Sequence, residues 1–181
     1  MRVAVRVLSL LLLLVTTLAS AQDRRADQRV QSLREMTRDV WEPFTRGVNS
    51  FDDPTYLAVR SKDFVLVQSI DKSFLDHDYY VEDTVKVMAD LKKSGVRLQV
   101  ELRFDERFAD AEYASERGIM RMIRTDADGS RHVSHTRFHV IARKEEGRWR
   151  VVTEYRWRTD RESDARAFEA ARAADDVEAF R

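Results

Sequence analysis

Val96-Arg97-Leu98-Gln99-Val100-Glu101-Leu102-Arg103-Phe104-Asp105 alternates apolar and polar residues without a break. Successive side chains on a strand point to opposite faces. This spacing therefore predicts a strand with Val96, Leu98, Val100, Leu102 and Phe104 on a core and the polar alternates outside. Three further strand-like segments follow, Tyr113 to Arg124, His132 to Lys144 and Arg148 to Arg158. Asp126-Ala127-Asp128-Gly129 supplies one turn, and Lys144-Glu145-Glu146-Gly147-Arg148-Trp149 writes the hairpin that joins the last two. On the final strand Trp149, Val151, Thr153, Tyr155 and Trp157 fall on one face.

Upstream the period is helical. From Ala26 to Asn49 a stripe of Val30, Leu33, Thr37, Val40, Trp41, Phe44 and Val48 faces a core. Pro43 is expected to kink this helix, because it has no N–H to bond the Asp39 carbonyl. Asp52-Asp53-Pro54 reads as a cap with proline in the first turn of a short second helix. A compact strand, Asp63 to Gln68, comes next. Ser69 to Asp78 lacks periodicity and reads as a loop, with Asp78 capping a third helix whose inner face carries Val81, Val85, Met88 and Leu91 and which closes at Gly95. Ser163 to Arg181 is an Ala-rich helical extension with only Phe168, Val177 and Phe180 as large apolar residues.

The amino terminus carries its own signal. Arg2 and Arg6, the apolar run Val7 to Val15 and Ala19-Ser20-Ala21 match a cleaved export signal over residues 1–21, too short in its apolar part for the roughly 20 residues of a membrane span. A periplasmic or secreted protein is the expectation, with cleavage after Ala21 and no membrane span thereafter. The chain has no Cys, which excludes lipid attachment and disulfides and leaves stability to the core. Residues 22–160 are long enough for one domain, followed by the extension at 161–181. Loss of Arg2 and Arg6 takes the balance of 32 basic and 32 acidic residues to a net charge near minus two. Charges of both signs are interspersed, so there is no basic stripe for nucleic acid.

The kinked helix with Trp41-Glu42-Pro43-Phe44, the strand opening at Lys62-Asp63-Phe64-Val65, the helix closing at Gly95, and Glu116-Arg117-Gly118-Ile119, Asp128-Gly129 and Gly147-Arg148-Trp149-Arg150-Val151-Val152 together resemble the nuclear transport factor 2-like superfamily. Within it the chain is most similar to the SnoaL-like proteins of the DUF4440 type, over about Val30 to Arg158. The resemblance implies an α+β fold: a cone in which N-terminal helices pack on a strongly curved, mostly antiparallel sheet around an apolar cavity. That cavity hosts isomerases, cyclases, dehydratases and many members without known activity, so the fold alone decides no chemistry.

Ketosteroid-isomerase-like proton transfer is the sharpest enzymatic expectation that the resemblance raises, and the residues weaken it. The base position falls on Gln68, and an amide cannot accept a proton at neutral pH. Asp71 would have to reach inward from a loop, and the position of the carboxylic-acid donor falls on or near His139. Strand alternation favours His139 on the outer face beside Arg137, between inward Phe138 and Val140. For Glu116, a cross-strand salt bridge with Arg103 or Arg137 is the favoured reading; placed inside, it needs a donor or a raised pKa. His135 and His139 lie about 13 Å apart along a strand and cannot share a metal ion. No cofactor or metal is called for. Aromatic side chains offer the broader signal, with Trp41, Phe44, Tyr56, Tyr80 and Tyr155 as the candidate ligand-binding set and Tyr56 and Tyr80 nearest the mouth of the cone. The leading expectation is a domain that binds a small, mostly hydrophobic molecule. One alternative is an acid-base enzyme using Glu116, Asp71 or His139; the other is a homodimeric interaction module, against which the charged outer alternates Arg97, Glu101 and Arg103 speak.

Overall fold

The computed structural model describes residues 22–181; the expected export signal lies outside them. Helix α1 (22–36) runs through a π-helical turn, Thr37–Trp41, into α2 (Glu42–Ser50). The turn explains how a helix carries Pro43. The Glu42 N–H reaches back to the Thr37 carbonyl, five residues away, so the ladder widens just before the residue that cannot donate to it. Proline then occupies the first turn of α2 instead of kinking a continuous α-helix. One face of this long element, with Val30, Leu33, Met36, Val40, Trp41, Phe44 and Val48, is buried.

After α3 (Asp53–Leu57), capped by the Asp52 carboxylate accepting from the Thr55 N–H, come β1 (Arg60–Gln68), β2 (Ser73–Asp76) and α4 (His77–Lys93). β2 corrects the expected loop, since Ser73 to Asp76 pairs antiparallel with the end of β1. Four residues are too few for their alternation to register against a polar background. Helix α4 begins two residues earlier than expected: Asp76, not Asp78, is the cap, and its carboxylate accepts from the Tyr79 N–H. Its inner face is therefore Tyr80, Thr84 and Met88, and Val85 is exposed.

Strands β3 (Arg97–Ala109), β4 (Tyr113–Thr125), β5 (Arg131–Glu145) and β6 (Arg148–Trp157) form the meander, followed by α5 (Arg161–Ala170) and a two-residue strand β7 (Arg172–Ala173). The curved sheet runs β2-β1-β6-β5-β4-β3-β7. Among the described residues only β1 and β6 pair in parallel. The Gly147 turn fastens the sheet to α1: Trp149 is fully buried, its backbone N–H donates to Asp39 at 3.2 Å and its indole N–H to Glu35 at 3.4 Å, while Lys144 bonds Glu35 at 2.6 Å. Burying one such ring contributes on the order of 2–3 kcal/mol.

Two β-bulges decide which side chains enter the cone. In β3 the register shifts between Phe104 and Glu106, leaving Asp105 without an opposite residue, so Arg107 turns inward and Phe108 outward. In β6 the partners of Ile141 and Ala142 are Thr153 and Val151, leaving Val152 over. The single face expected for Trp149, Val151, Thr153, Tyr155 and Trp157 is thereby split: the first two face the core, and Glu154 and Arg156 take the inward places beyond the bulge. Helix α5 docks on the outer face of β4 and β5, where Phe168 and Ile119 are buried, while the residues after it pair with β3 and bring Val177 into the core.

Candidate functional site

Inside the cone lie two buried ionic clusters of different construction. In the first, Arg107 and Glu116 are cross-strand neighbours. The Arg107 Nε donates to Glu116 at 2.7 Å, and the Trp41 indole N–H donates to the other carboxylate oxygen at 2.5 Å. The terminal nitrogens of Arg107 reach the Ala174 carbonyl at 2.7 Å and the Thr37 hydroxyl at 3.0 Å. Both ionic side chains are wholly excluded from solvent. Burial pushes the Glu116 carboxyl above its ordinary value, and Arg107 and Trp41 pull it only part of the way back. The expected cross-strand salt bridge is therefore present, but its partner is Arg107 rather than Arg103 or Arg137, because the bulge at Asp105 reverses the face that Arg107 occupies.

The second cluster joins α3, β1, α4 and β6. Arg156 grips Glu154 side-on, Nε at 2.6 Å and Nη2 at 3.0 Å. Arg60 approaches the same carboxylate at 3.8 Å and donates to the Tyr56 carbonyl at 2.5 Å. Its guanidinium sits in an aromatic cage, 4.1 Å from the Tyr56 ring centroid, 4.7 Å from Tyr80 and 5.3 Å from Phe64. The buried Arg60 Nε has no hydrogen-bond partner among the described residues; the ring faces stand in for one. The Tyr56 and Tyr80 hydroxyls are hydrogen-bonded to each other. Burial opposes ionisation of Tyr56, but the neighbouring Arg60 and Arg156 charges outweigh it and draw this phenol below the ordinary tyrosine range, while burial holds Tyr80 well above it.

Arg156, Tyr56 and Tyr80 of this second cluster line a cavity of about 230 Å³ under α4, with Arg60 and Glu154 behind them. Its walls are largely apolar, among them Leu66, Met88, Leu98 and Met122, and its polar lining is Tyr56, Tyr80, Gln68, Thr84, Arg156 and the carboxylate of Asp83. Gln68 and Arg156 are register neighbours on the parallel pair β1 and β6. Tyr56 owes its position to a glycine: a Cβ on Gly47 would stand 2.7 Å from the Tyr56 Cβ and backbone nitrogen, so only glycine lets α2 and α3 approach this closely. Larger concavities of about 480 and 470 Å³ lie elsewhere, beside Phe108 and between α2 and β3. The second of these borders the first cluster through Thr37, Trp41 and Ala174, but neither Arg107 nor Glu116 lines it.

The candidate residues separate accordingly. Tyr56 and Tyr80 line the cavity. Phe44 packs behind Tyr56 at 5.2 Å, and Trp41 lies deeper, against Phe104 and Phe138 and beside the concavity between α2 and β3. Tyr155 faces outward, half-exposed and stacked on Trp157 at 5.2 Å, because Val152 inverts the alternation before it. His139 is on the outer face as its alternation indicates, with its Nε2 2.9 Å from the Ser115 hydroxyl. Asp71 is exposed in the β1–β2 turn, 2.6 Å from the Ser73 hydroxyl. Glu116 is sealed in the first cluster. The residues that sequence reasoning missed are Arg60, Glu154 and Arg156, three charged side chains on strands where charge ordinarily marks the solvent face.

No family model matches the chain, and no curated protein sequence matches it. Solved structures do. An uncharacterised protein with a cystatin-like fold from Caulobacter vibrioides is 14% identical, with a TM-score of 0.56 over 74% of this chain and 94% of its own. An NTF2-like protein of unknown function from Shewanella oneidensis MR-1 is 14% identical, with a TM-score of 0.55 over 68% of this chain and 96% of its own. Another from Pseudomonas putida KT2440 is 18% identical, with a TM-score of 0.53 over 70% and 87%. The chain has the NTF2-like fold. At these identities the likeness extends to architecture alone.

Proposed function

We propose that this protein binds a small, mostly hydrophobic molecule in the cavity beneath α4, and that it does so after export, in the periplasm or outside the cell. The observation that carries the reading is a cavity with apolar walls and a polar floor, built from groups that converge from four separate elements. At about 230 Å³ it is smaller than the roughly 300–1,000 Å³ of drug-sized sites, which favours a single-ring or short-chain ligand. Binding is preferred over acid-base catalysis because Glu116, His139 and Asp71 are not among the residues lining this cavity. The order of motifs from Trp41 to Val152 supports a SnoaL-like, DUF4440-type assignment, and the leader at residues 1–21 supports export. Among the described residues no helix is long and apolar enough to cross a membrane.

The test is to express the full chain in a bacterial host, recover the protein from the periplasm and identify co-purified small molecules by mass spectrometry. A Thr84→Trp variant, which fills the cavity from α4, is carried in parallel. A molecule present in the wild type and missing from the folded variant supports the proposal. Equal retention by both sinks it, and recovery of the protein only from the cytoplasm with its leader intact sinks the export reading.

A further inference from the structure

We propose that the ligand is an acid, an apolar molecule bearing one carboxylate that docks on the free edge of Arg156. This rests on the reading of the cavity as a binding site and adds the chemistry of its occupant.

The charge count at the cavity floor points this way. Arg60 and Arg156 share a single carboxylate, Glu154, and both guanidiniums are held among aromatic and aliphatic side chains. Within the cluster one positive charge is left over; Asp83, exposed on α4, also lines the cavity but forms no salt bridge with either arginine. A buried charge without a counter-charge is costly, and the neutral way out for lysine or histidine, loss of the proton, is closed to arginine. The first cluster sets the standard within the same molecule: one arginine, one carboxylate, and polar partners around both.

Geometry identifies where the missing anion belongs. Glu154 occupies the Nε–Nη2 edge of Arg156, and Nη1 makes no hydrogen bond among the described residues. The remaining Nη1–Nη2 edge presents two parallel N–H groups, the spacing that a carboxylate accepts in bidentate form. With two hydroxyls sharing one hydrogen bond, the Tyr56–Tyr80 pair also has a second O–H to give. An apolar body then fills the space between Met88, Leu98 and Met122, which offers no charged partner to a second anionic group.

Benzoate and benzamide separate this proposal from the reading beneath it, because they share shape and differ in charge. Each is titrated calorimetrically into the wild-type protein and into Arg156→Gln. The expected result is a wild-type preference for benzoate of at least about tenfold, as charge-assisted hydrogen bonds confer, which disappears in Arg156→Gln while benzamide affinity changes little. Benzamide binding as tightly as benzoate to the wild type overturns the acid and leaves the binding site standing. A benzoate preference that survives in Arg156→Gln overturns the role of Arg156. Binding of neither probe overturns the acid together with the single-ring occupant. The wild-type comparison needs no variant, so it decides even where Arg156→Gln fails to fold.

Discussion

The two ionic clusters inside the cone are built from the same side chains and differ in their completeness. Arg107 and Glu116 are matched one to one, fully enclosed and hydrogen-bonded on all sides to Trp41, Thr37 and Ala174. Arg60, Glu154 and Arg156 are matched two to one, leave Arg60 Nε without an acceptor among the described residues, and reach a cavity through Arg156. A satisfied buried network ties elements together and has nothing left to offer a ligand. An unsatisfied one keeps donors and potential available, and that residue of charge is what the proposed ligand would meet.

The most severe way to break the comparison is Glu116→Leu. It strands the Arg107 charge in the interior and should cost about 3–5 kcal/mol in urea unfolding; a loss under about 1 kcal/mol would mean that the cluster is not the structural tie described. Next in size is Gly47→Ala. The added methyl meets Tyr56 at 2.7 Å, and the overpacking should cost about 1–3 kcal/mol while displacing Tyr56 from the cavity floor. Unfolding and probe titration on the same variant check both halves. Arg156→Met should be far milder than Glu116→Leu, about 1 kcal/mol, because it leaves Arg60 and Glu154 matched one to one. A cost equal to that of Glu116→Leu would show the second cluster to be as structural as the first.

Acid titration gives the smallest net effect, since the two clusters respond with opposite sign. Burial dominates at Glu116 and raises its carboxyl, so its contribution is present at low pH and fades as pH rises through that raised value. At Glu154 burial is outweighed by Arg156 and then Arg60, so its contribution is full above its ordinary value of 4.5 and disappears as pH falls through its lowered one. Comparing unfolding of wild type, Glu116→Gln and Glu154→Gln from pH 7 to pH 3 separates the terms. Relative to wild type, the Glu116 variant should look worst in acid and the Glu154 variant worst near neutrality; curves that run parallel would refute the assignment.

Much of the architecture was legible because period two and period 3.6 are written directly in the apolar residues. The β3 alternation from Val96 to Phe104, the Gly147 hairpin and the Trp41–Phe44 stripe all survive into the structure. The site was largely illegible, and for one physical cause. Asp105 and Val152 are ordinary residues in ordinary strand sequence, and nothing in their identity announces that they have no partner opposite. Each silently exchanges the two faces beyond it, so Arg107, Glu154 and Arg156 read as solvent-facing and Tyr155 as inward. A faint signal existed at Phe108, an aromatic that either parity must reconcile with the arginine beside it. β2 was missed because four residues carry too little pattern. The docking of the C-terminal segment could not be weighed either, because it depends on Phe168 lying between the guanidiniums of Arg103 and Arg121, 4.5 and 4.3 Å from its ring, a contact made only in the folded chain.

The bulge at Val152 has a consequence for how such proteins diversify. Deleting that one residue would restore a regular pleat and leave Glu154 and Arg156 inward, whereas taking Val152 into the ladder, by slipping the pairing beyond it by one residue, would bring Thr153, Tyr155 and Trp157 into the cone and turn Glu154 and Arg156 outside, exchanging an ionic floor for an aromatic one. Point substitution would need at least four coordinated changes to reach the same end, passing through intermediates with an unpaired interior charge. A strand that carries a bulge therefore holds two alternative pockets in one stretch of sequence, and the reading frame of its pleat selects between them.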